Sequence, residues 1–149
     1  MAEETKDSGY REYLNRASRE TGIPYHILDA VMEMESRGKP KARSKKGAVG
    51  LMQLMPKTAQ SLGVDPHDPE QNILGGARYL AEMLERFGSM EKALHAYNAG
   101  PTRVSKGRVP RQSRGYAKRV LALGETKRPW EPPTTYETPL ALGLEGFLK

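Results

Sequence analysis

The chain has 149 residues, a formal net charge of +6 and no Cys. This length suits one domain able to bury roughly 68–70% of its unfolded surface, so neither a disulfide framework nor a structural metal is needed. The absence of Cys excludes a thiol nucleophile and a thiolate metal site, and the three His residues lack metal-ligand spacing. No run is long enough for a membrane span, and the acidic opening lacks the apolar core of a secretory signal.

The first two elements are predicted to be helices. One follows the competent N-caps Asp7 and Ser8 and ends at Gly22, which makes residues 1–9 a flexible N-terminal segment. The second begins near Pro24 and ends near Ser36. A basic, Gly-punctuated connection follows it and should shape one wall of a cleft.

Three further helices are predicted in the middle of the chain. Pro56 opens a short helix that ends around Gly63. Asp68 caps a long helix that Gly88 stops, with a buried stripe of Ile73, Ala77, Leu80, Leu84 and Phe87. Ser89 caps the next helix, and residues 98–101 end it.

The last predicted helix follows a Gly- and Arg-rich loop. Ser113 is its expected cap, and Tyr116, Val120 and Leu123 form its apolar face. From residue 124 four prolines favour an extended tail, against which Trp130 could pack. We therefore expect a mainly α fold with at most a minor β component, a core domain over residues 10–123 and a Pro-rich tail over 124–149.

Glu35 ends the apolar stripe of the second helix. The helical spacing of the stripe places its members on one face: Ile27, Leu28, Val31, Met32 and Glu35. Burial disfavours the charged form of a carboxyl and raises its pKa, as a general acid working near neutral pH requires. Glu33 points away from this face. Taken alone, a Glu in this position is more often a structural carboxyl with a backbone or Arg partner than a catalytic one.

Three ordered motifs accompany this carboxyl. The first motif opens with Glu35-Ser36. It continues with Pro-Lys-Ala-Arg-Ser at residues 40–44 and ends with Gly-Ala-Val-Gly-Leu-Met-Gln-Leu-Met-Pro at residues 47–56. Residues 96–101 read Ala-Tyr-Asn-Ala-Gly-Pro, and residues 110–116 read Pro-Arg-Gln-Ser-Arg-Gly-Tyr. Over about residues 10–123 the set resembles the family 1 lytic transglycosylases, the SLT domain of the lysozyme-like superfamily.

The resemblance implies a compact lysozyme-like helical domain that cleaves peptidoglycan at the β-1,4 bond between N-acetylmuramic acid and N-acetylglucosamine. It implies that Glu35 is the catalytic acid and base, that the muramyl residue ends as a 1,6-anhydro sugar, and that no metal or organic cofactor is required. The residues that it places in the cleft, as sugar contacts or supports of Glu35, are Ser44, Gln53, Met55, Tyr79, Tyr97, Asn98, Gln112 and Tyr116.

Several of these residues also have a structural interpretation. Tyr97 and Tyr116 could be core aromatics with tethered hydroxyls, and Asn98 could end its helix. Met52 and Leu54, inside the 47–56 block of the first motif, are interpreted as core residues.

The sequence departs from the family pattern at three positions. Gln112 stands where Glu is usual and Ser113 where Thr is usual, so a carboxylate that contacts substrate is replaced by a neutral amide. Lys39 stands where Asn is common. The change at Gln112 could shift substrate preference, whereas Glu35 is untouched.

Basic residues cluster in two stretches without acidic ones. They are Arg37, Lys39, Lys41, Arg43, Lys45 and Lys46, and then Arg103, Lys106, Arg108, Arg111, Arg114, Lys118 and Arg119. They could attract peptidoglycan and other anionic wall polymers, or simply form a solvated basic surface. No nucleic acid is expected, because aromatic residues do not alternate with the basic ones.

Two other functions stay open: a hydrolytic muramidase, and a non-enzymatic cell-wall-binding module, which would not explain the Glu35 motif. The expected place of action is the bacterial cell wall or periplasm. Because the chain begins without a signal peptide, we expect delivery by a phage virion or a processed or recombinant form.

Overall fold

The structure is a computed structural model that describes residues 2–129, with side chains from residue 9 onward. This part of the chain forms seven helices: α1 (Ala2–Thr21), α2 (Tyr25–Ser36), α3 (Pro56–Leu62), α4 (Pro69–Phe87), α5 (Met90–Ala99), α6 (Pro101–Ser105) and α7 (Arg111–Thr126). Within it β structure is limited to isolated bridges that join Val49 to Arg43 and to Leu54. The predicted mainly α fold is confirmed. Trp130 and the rest of the predicted tail lie outside the described residues.

The predicted ends of the central helices are confirmed. Asp68 accepts a hydrogen bond from the Gln71 backbone N–H at 2.9 Å, and Ser89 accepts one from that of Lys92 at 3.2 Å. These side chains satisfy N–H groups that have no partner inside the first turn. Gly63 and Gly88 end α3 and α4 with φ of 72° and 87°, a conformation that glycine adopts without steric cost.

Several boundaries differ from the predictions. Helix α1 begins at Ala2 rather than after Ser8, because residues 2–8 contain neither Pro nor Gly to interrupt it. The loop predicted after α5 contains α6, whose first residue, Pro101, already has a helical φ. Ser113 is not a cap, since α7 begins two residues earlier. Helix α7 also continues past residue 124 to Thr126.

The core lies between α4 and the helices on either side of it. Helix α4 packs against α1 and α5, and α7 packs against α2 and α5. The predicted α4 stripe is buried at Ile73, Ala77 and Leu80, and Leu84 and Phe87 pack at its edge. Met52 and Leu54 are 0% and 2% exposed, which confirms that they are core residues. None of the helices described over residues 2–129 is long and apolar enough to cross a bilayer.

Candidate active site

Glu35 lies in the last turn of α2, half-buried, on the face that also carries Leu28 and Val31. The end of this helix is fixed by local hydrogen bonds. The Ser36 hydroxyl donates to the Met32 carbonyl at 3.1 Å and accepts from the Gly38 N–H at 3.1 Å. These bonds fix the backbone that carries Glu35.

Burial raises the pKa of Glu35 from 4.5 to about 7. The Tyr116 phenol donates a hydrogen bond to its Oε2 at 2.7 Å, which acts in the opposite direction because it stabilises the carboxylate. Burial is the stronger effect. A carboxyl with a pKa near 7 can both give and take a proton at neutral pH.

Two tyrosines form an aromatic wall, and one of them, Tyr97, lies near this carboxyl. The Tyr97 hydroxyl donates to the Met52 carbonyl at 2.7 Å, and the Tyr79 and Tyr97 ring centroids are 5.4 Å apart with planes inclined by 54°. Burial raises the Tyr97 pKa well above 10, and the nearby Glu35 charge raises it further. Burial and then the Glu82 charge also raise the pKa of Tyr79. Both phenols therefore stay neutral at physiological pH.

The loop between α2 and α3 is braced by its own polar side chains. Gln53 has a left-handed backbone with φ of 53°, and its amide donates to the Ala42 carbonyl at 3.1 Å and the Gly50 carbonyl at 2.9 Å. The Ser44 hydroxyl accepts from the Ala48 N–H at 2.9 Å. Gln53 and Ser44 thus shape the loop through these groups.

The structure does not join every predicted site residue to Glu35. Tyr116 contacts Glu35 directly, and Tyr97 lies close enough to feel its charge. Met55 is exposed by 43% of its surface, and Gln112 is also exposed. In the described part of the chain, neither has a hydrogen bond or ion pair that links it to the carboxyl.

Asn72 supports the site and was not among the residues predicted from the sequence. It is fully buried on α4, donates to the Val49 and Pro66 carbonyls at 2.9 and 2.8 Å, and accepts from the Met52 N–H at 2.7 Å. Gly50, with φ of 81°, gives it room, since a Cβ there would lie 2.4 Å from the amide nitrogen. The sequence signal for this role was a polar residue directly before Ile73, the first residue of the buried α4 stripe.

Asn98 and Ser113 join the end of α5 to the start of α7. The Ser113 hydroxyl donates to Asn98 Oδ1 at 2.7 Å. Helix α5 ends with a backbone hydrogen bond, in which the Gly100 N–H donates to the Ala96 carbonyl at 2.8 Å. Asn98 does not end its helix through its side chain.

The two basic stretches are solvent-exposed, and none of their residues forms an ion pair with a described residue. Residues 36–64 and 92–124, which contain the loop and the start of α7, include no Asp or Glu. The loop and the start of α7 therefore carry basic side chains and no acidic ones. Over the described residues, no group of three His, Asp or Glu side chains is placed to bind a metal.

A cavity of about 770 Å³ lies beside Glu33 and is not lined by Glu35. Glu33 forms an ion pair with Lys127 at 2.7 Å. Residues i and i+2 of an α-helix point in directions about 200° apart around the axis. Glu33 and Glu35 therefore face opposite sides of α2. The cavity does not belong to the candidate active site.

The family model for the transglycosylase SLT domain matches residues 12–120. The chain belongs to this family. A transglycosylase of Enterobacteria phage PRD1 is 44% identical over 97 residues, covering 64% of this chain and 37% of the phage protein. The soluble lytic murein transglycosylase of Escherichia coli K12 is 34% identical over 148 residues, covering 80% of this chain and 23% of that protein. This SLT domain therefore spans only about a quarter to just over a third of these relatives' length.

Solved structures show the same fold. The 70-kDa soluble lytic transglycosylase in complex with bulgecin A has a TM-score of 0.71 and 33% identity, covering 80% of this chain and 24% of that one. An Slt from Pseudomonas aeruginosa, solved as an inactive mutant with one Glu replaced by Gln, has a TM-score of 0.68 and 30% identity, covering 77% and 23%. The lysozyme-like helical fold expected from the motifs is confirmed.

Proposed function

We propose that this chain is a peptidoglycan lytic transglycosylase that cleaves the β-1,4 bond between N-acetylmuramic acid and N-acetylglucosamine. The observation that carries the proposal is the half-buried Glu35, with a pKa of about 7 and a hydrogen bond from Tyr116, inside an SLT domain. The names of the relatives support it. The inactive Glu-to-Gln mutant of the Pseudomonas protein supports an essential Glu.

In the first step, protonated Glu35 donates its proton to the glycosidic oxygen. The bond from this oxygen to C1 of the muramyl residue breaks, and the N-acetylglucosamine part leaves with its new hydroxyl. The acetamido oxygen of the muramyl residue stabilises the positive charge on C1. Tyr116 binds Oε2 and would leave Oε1 for the substrate, so Oε1 is the atom to which we assign the transferred proton.

In the second step, the Glu35 carboxylate removes the proton from the muramyl 6-hydroxyl. The hydroxyl oxygen then bonds to C1 and closes the 1,6-anhydro ring. Glu35 is protonated again, and no water is consumed. The Tyr116 hydrogen bond stabilises the carboxylate between the two steps, while burial keeps it basic enough to take the proton.

One carboxylate suffices for this sequence of steps. Most glycosidases use two carboxylates, and enzymes assisted by a group of the substrate are an exception. Among the described residues, no neighbouring carboxylate contributes to the pKa shift of Glu35, whose causes are burial and the Tyr116 hydrogen bond. Glu33 faces away and pairs with Lys127.

The remaining predicted site residues would bind the glycan. We assign sugar contacts to the aromatic wall of Tyr79 and Tyr97, because aromatic rings pack against apolar sugar faces. Ser44, Gln53, Asn98 and Gln112 would hydrogen-bond to acetamido and hydroxyl groups. Met55, which is exposed, would contact the glycan through apolar surface.

The basic residues of the loop and of the start of α7 suit an anionic polymer. Peptidoglycan carries lactyl and peptide carboxylates, which exposed cations attract over a distance set by the ionic strength. We place the protein's action at the bacterial cell wall. The similarity to the PRD1 transglycosylase supports delivery by a phage as one route.

Product analysis tests the proposal. Purified peptidoglycan digested by the protein in H₂¹⁸O should release muropeptides with 1,6-anhydro ends that contain no ¹⁸O in mass spectra. Products with reducing ends labelled by ¹⁸O would show a hydrolytic muramidase instead. Intact, unprocessed glycan would contradict both enzymatic functions.

A further inference from the structure

Ser113 is a buried residue whose only side-chain partner among the described residues is Asn98. We propose that Ser113 is a positioning residue that orients the Asn98 amide so that its NH₂ group donates to an acceptor oxygen of the bound amino sugar. The inference rests on the proposed function and adds a residue to its substrate-binding apparatus.

The first step of the argument is the geometry of the contact. Ser113 lies in the first turn of α7 with 2% of its surface exposed, and its hydroxyl donates to Asn98 Oδ1 at 2.7 Å. Asn98 itself is exposed, and Gly100 rather than Asn98 closes α5. The amide is therefore fixed at one end by a buried donor and open to solvent at the other.

The second step follows from the shape of an amide. A planar carboxamide has one acceptor oxygen and one nitrogen with two N–H donors, on opposite edges. Because Ser113 binds the oxygen, the two N–H donors of Asn98 are left for another acceptor, and they have no partner among the described residues. The group presented is a pair of donors, which fits the acetamido carbonyl and hydroxyl oxygens of an amino sugar.

The third step places these donors near the catalytic carboxyl. Ser113 and Tyr116 are three residues apart and therefore share one face of α7. Tyr116 donates to Glu35, and Ser113 donates to Asn98. Asn98 consequently meets α7 about one helical turn, roughly 5 Å along the axis, from the residue that binds Glu35.

A double-mutant cycle tests the proposal on a soluble peptidoglycan oligosaccharide. Replacing Ser113 by Ala should raise KM about two- to tenfold, the range for one lost hydrogen bond, with kcat within about twofold of wild type. The Ser113→Ala/Asn98→Ala double mutant should bind no more weakly than Asn98→Ala, since the serine would act only through that amide. Independent losses that multiply in the double mutant would overturn the proposal.

An orientation test uses Asn98→Asp, which keeps an oxygen for Ser113 but presents a second oxygen where the donors were. It should raise KM at least as much as Asn98→Ala, and a wild-type KM would overturn the assigned orientation. Ser61→Ala is the matched control, because that exposed hydroxyl donates only to the nearby Thr58 carbonyl. Melting temperatures check that each variant is folded.

The same experiment separates the two proposals. A wild-type protein that releases no anhydro product refutes the proposed function and the role of Asn98 with it. An active wild type whose KM is unchanged by Ser113→Ala overturns the Ser113 proposal alone.

Discussion

Replacing Glu35 by Gln should make the protein more stable at alkaline pH, although it removes the proposed catalytic acid. Burial raises the pKa of Glu35 in the folded protein to about 7 from 4.5. Below pH 4.5 the carboxyl is protonated in both states and contributes no pH dependence. Between pH 4.5 and 7 the unfolded chain ionises while the folded protein keeps its proton, so stability is lost as the pH rises.

The size of the effect follows from the same two pKa values. A difference of about 2.5 units at 1.36 kcal/mol per unit gives roughly 3 kcal/mol of lost stability once the pH exceeds the folded pKa. Gln has no such titration, but its similar shape preserves the packing around Tyr116. The free energy of unfolding of Glu35→Gln relative to wild type should thus rise by about 3 kcal/mol between pH 4 and pH 8.

Urea unfolding at several pH values measures this difference directly, because the midpoint and slope give the free energy of unfolding at each pH. Glu33→Gln is the matched control, since Glu33 is exposed and lies on the opposite side of α2. Curves for wild type and Glu35→Gln that stay parallel from pH 4 to pH 8 would refute the claim that burial raises the Glu35 pKa.

Three other perturbations test separate parts of the structure. Tyr116→Phe removes the hydrogen bond that lowers the Glu35 pKa, so the alkaline limb of the kcat/KM profile should move to higher pH; an unmoved limb would contradict this role. Binding to cell walls should weaken as salt is added, because salt screens exposed charges. Neutralising Lys45 and Lys46 together should reproduce part of that loss without abolishing cleavage of a short soluble glycan. Salt-insensitive binding would favour a merely solvated surface. Truncation after Glu131 should preserve the melting temperature and the release of muropeptides, because the family match ends at residue 120 and α7 ends at Thr126. A large loss of either would place the tail in the core or the cleft.

The helices could be predicted because local sequence determines where they begin and end. Asp68 and Ser89 cap α4 and α5 as expected, and Gly63 and Gly88 end α3 and α4. The apolar spacing of α2 also predicted the half-buried carboxyl of Glu35. These features depend on neighbours within about four residues, which a single sequence displays directly.

The interactions between distant segments could not be predicted in the same way. Asn72 binds Met52, which is twenty residues away, and Ser113 binds Asn98 rather than capping α7. In both cases a polar side chain that could have acted locally is used across the fold. The packing of α4 against the loop, and of α7 against α5, selects these partners.

The most direct test of the central claim compares Glu35→Gln with Glu33→Gln in the release of anhydro-muropeptides from purified peptidoglycan. General acid–base catalysis contributes about a hundred- to ten-thousand-fold, so Glu35→Gln should lose at least about a hundredfold in initial rate while it remains folded and bound to the wall. Glu33→Gln should keep the wild-type rate. Near-normal release by Glu35→Gln would show that Glu35 is not the acid and base of the reaction.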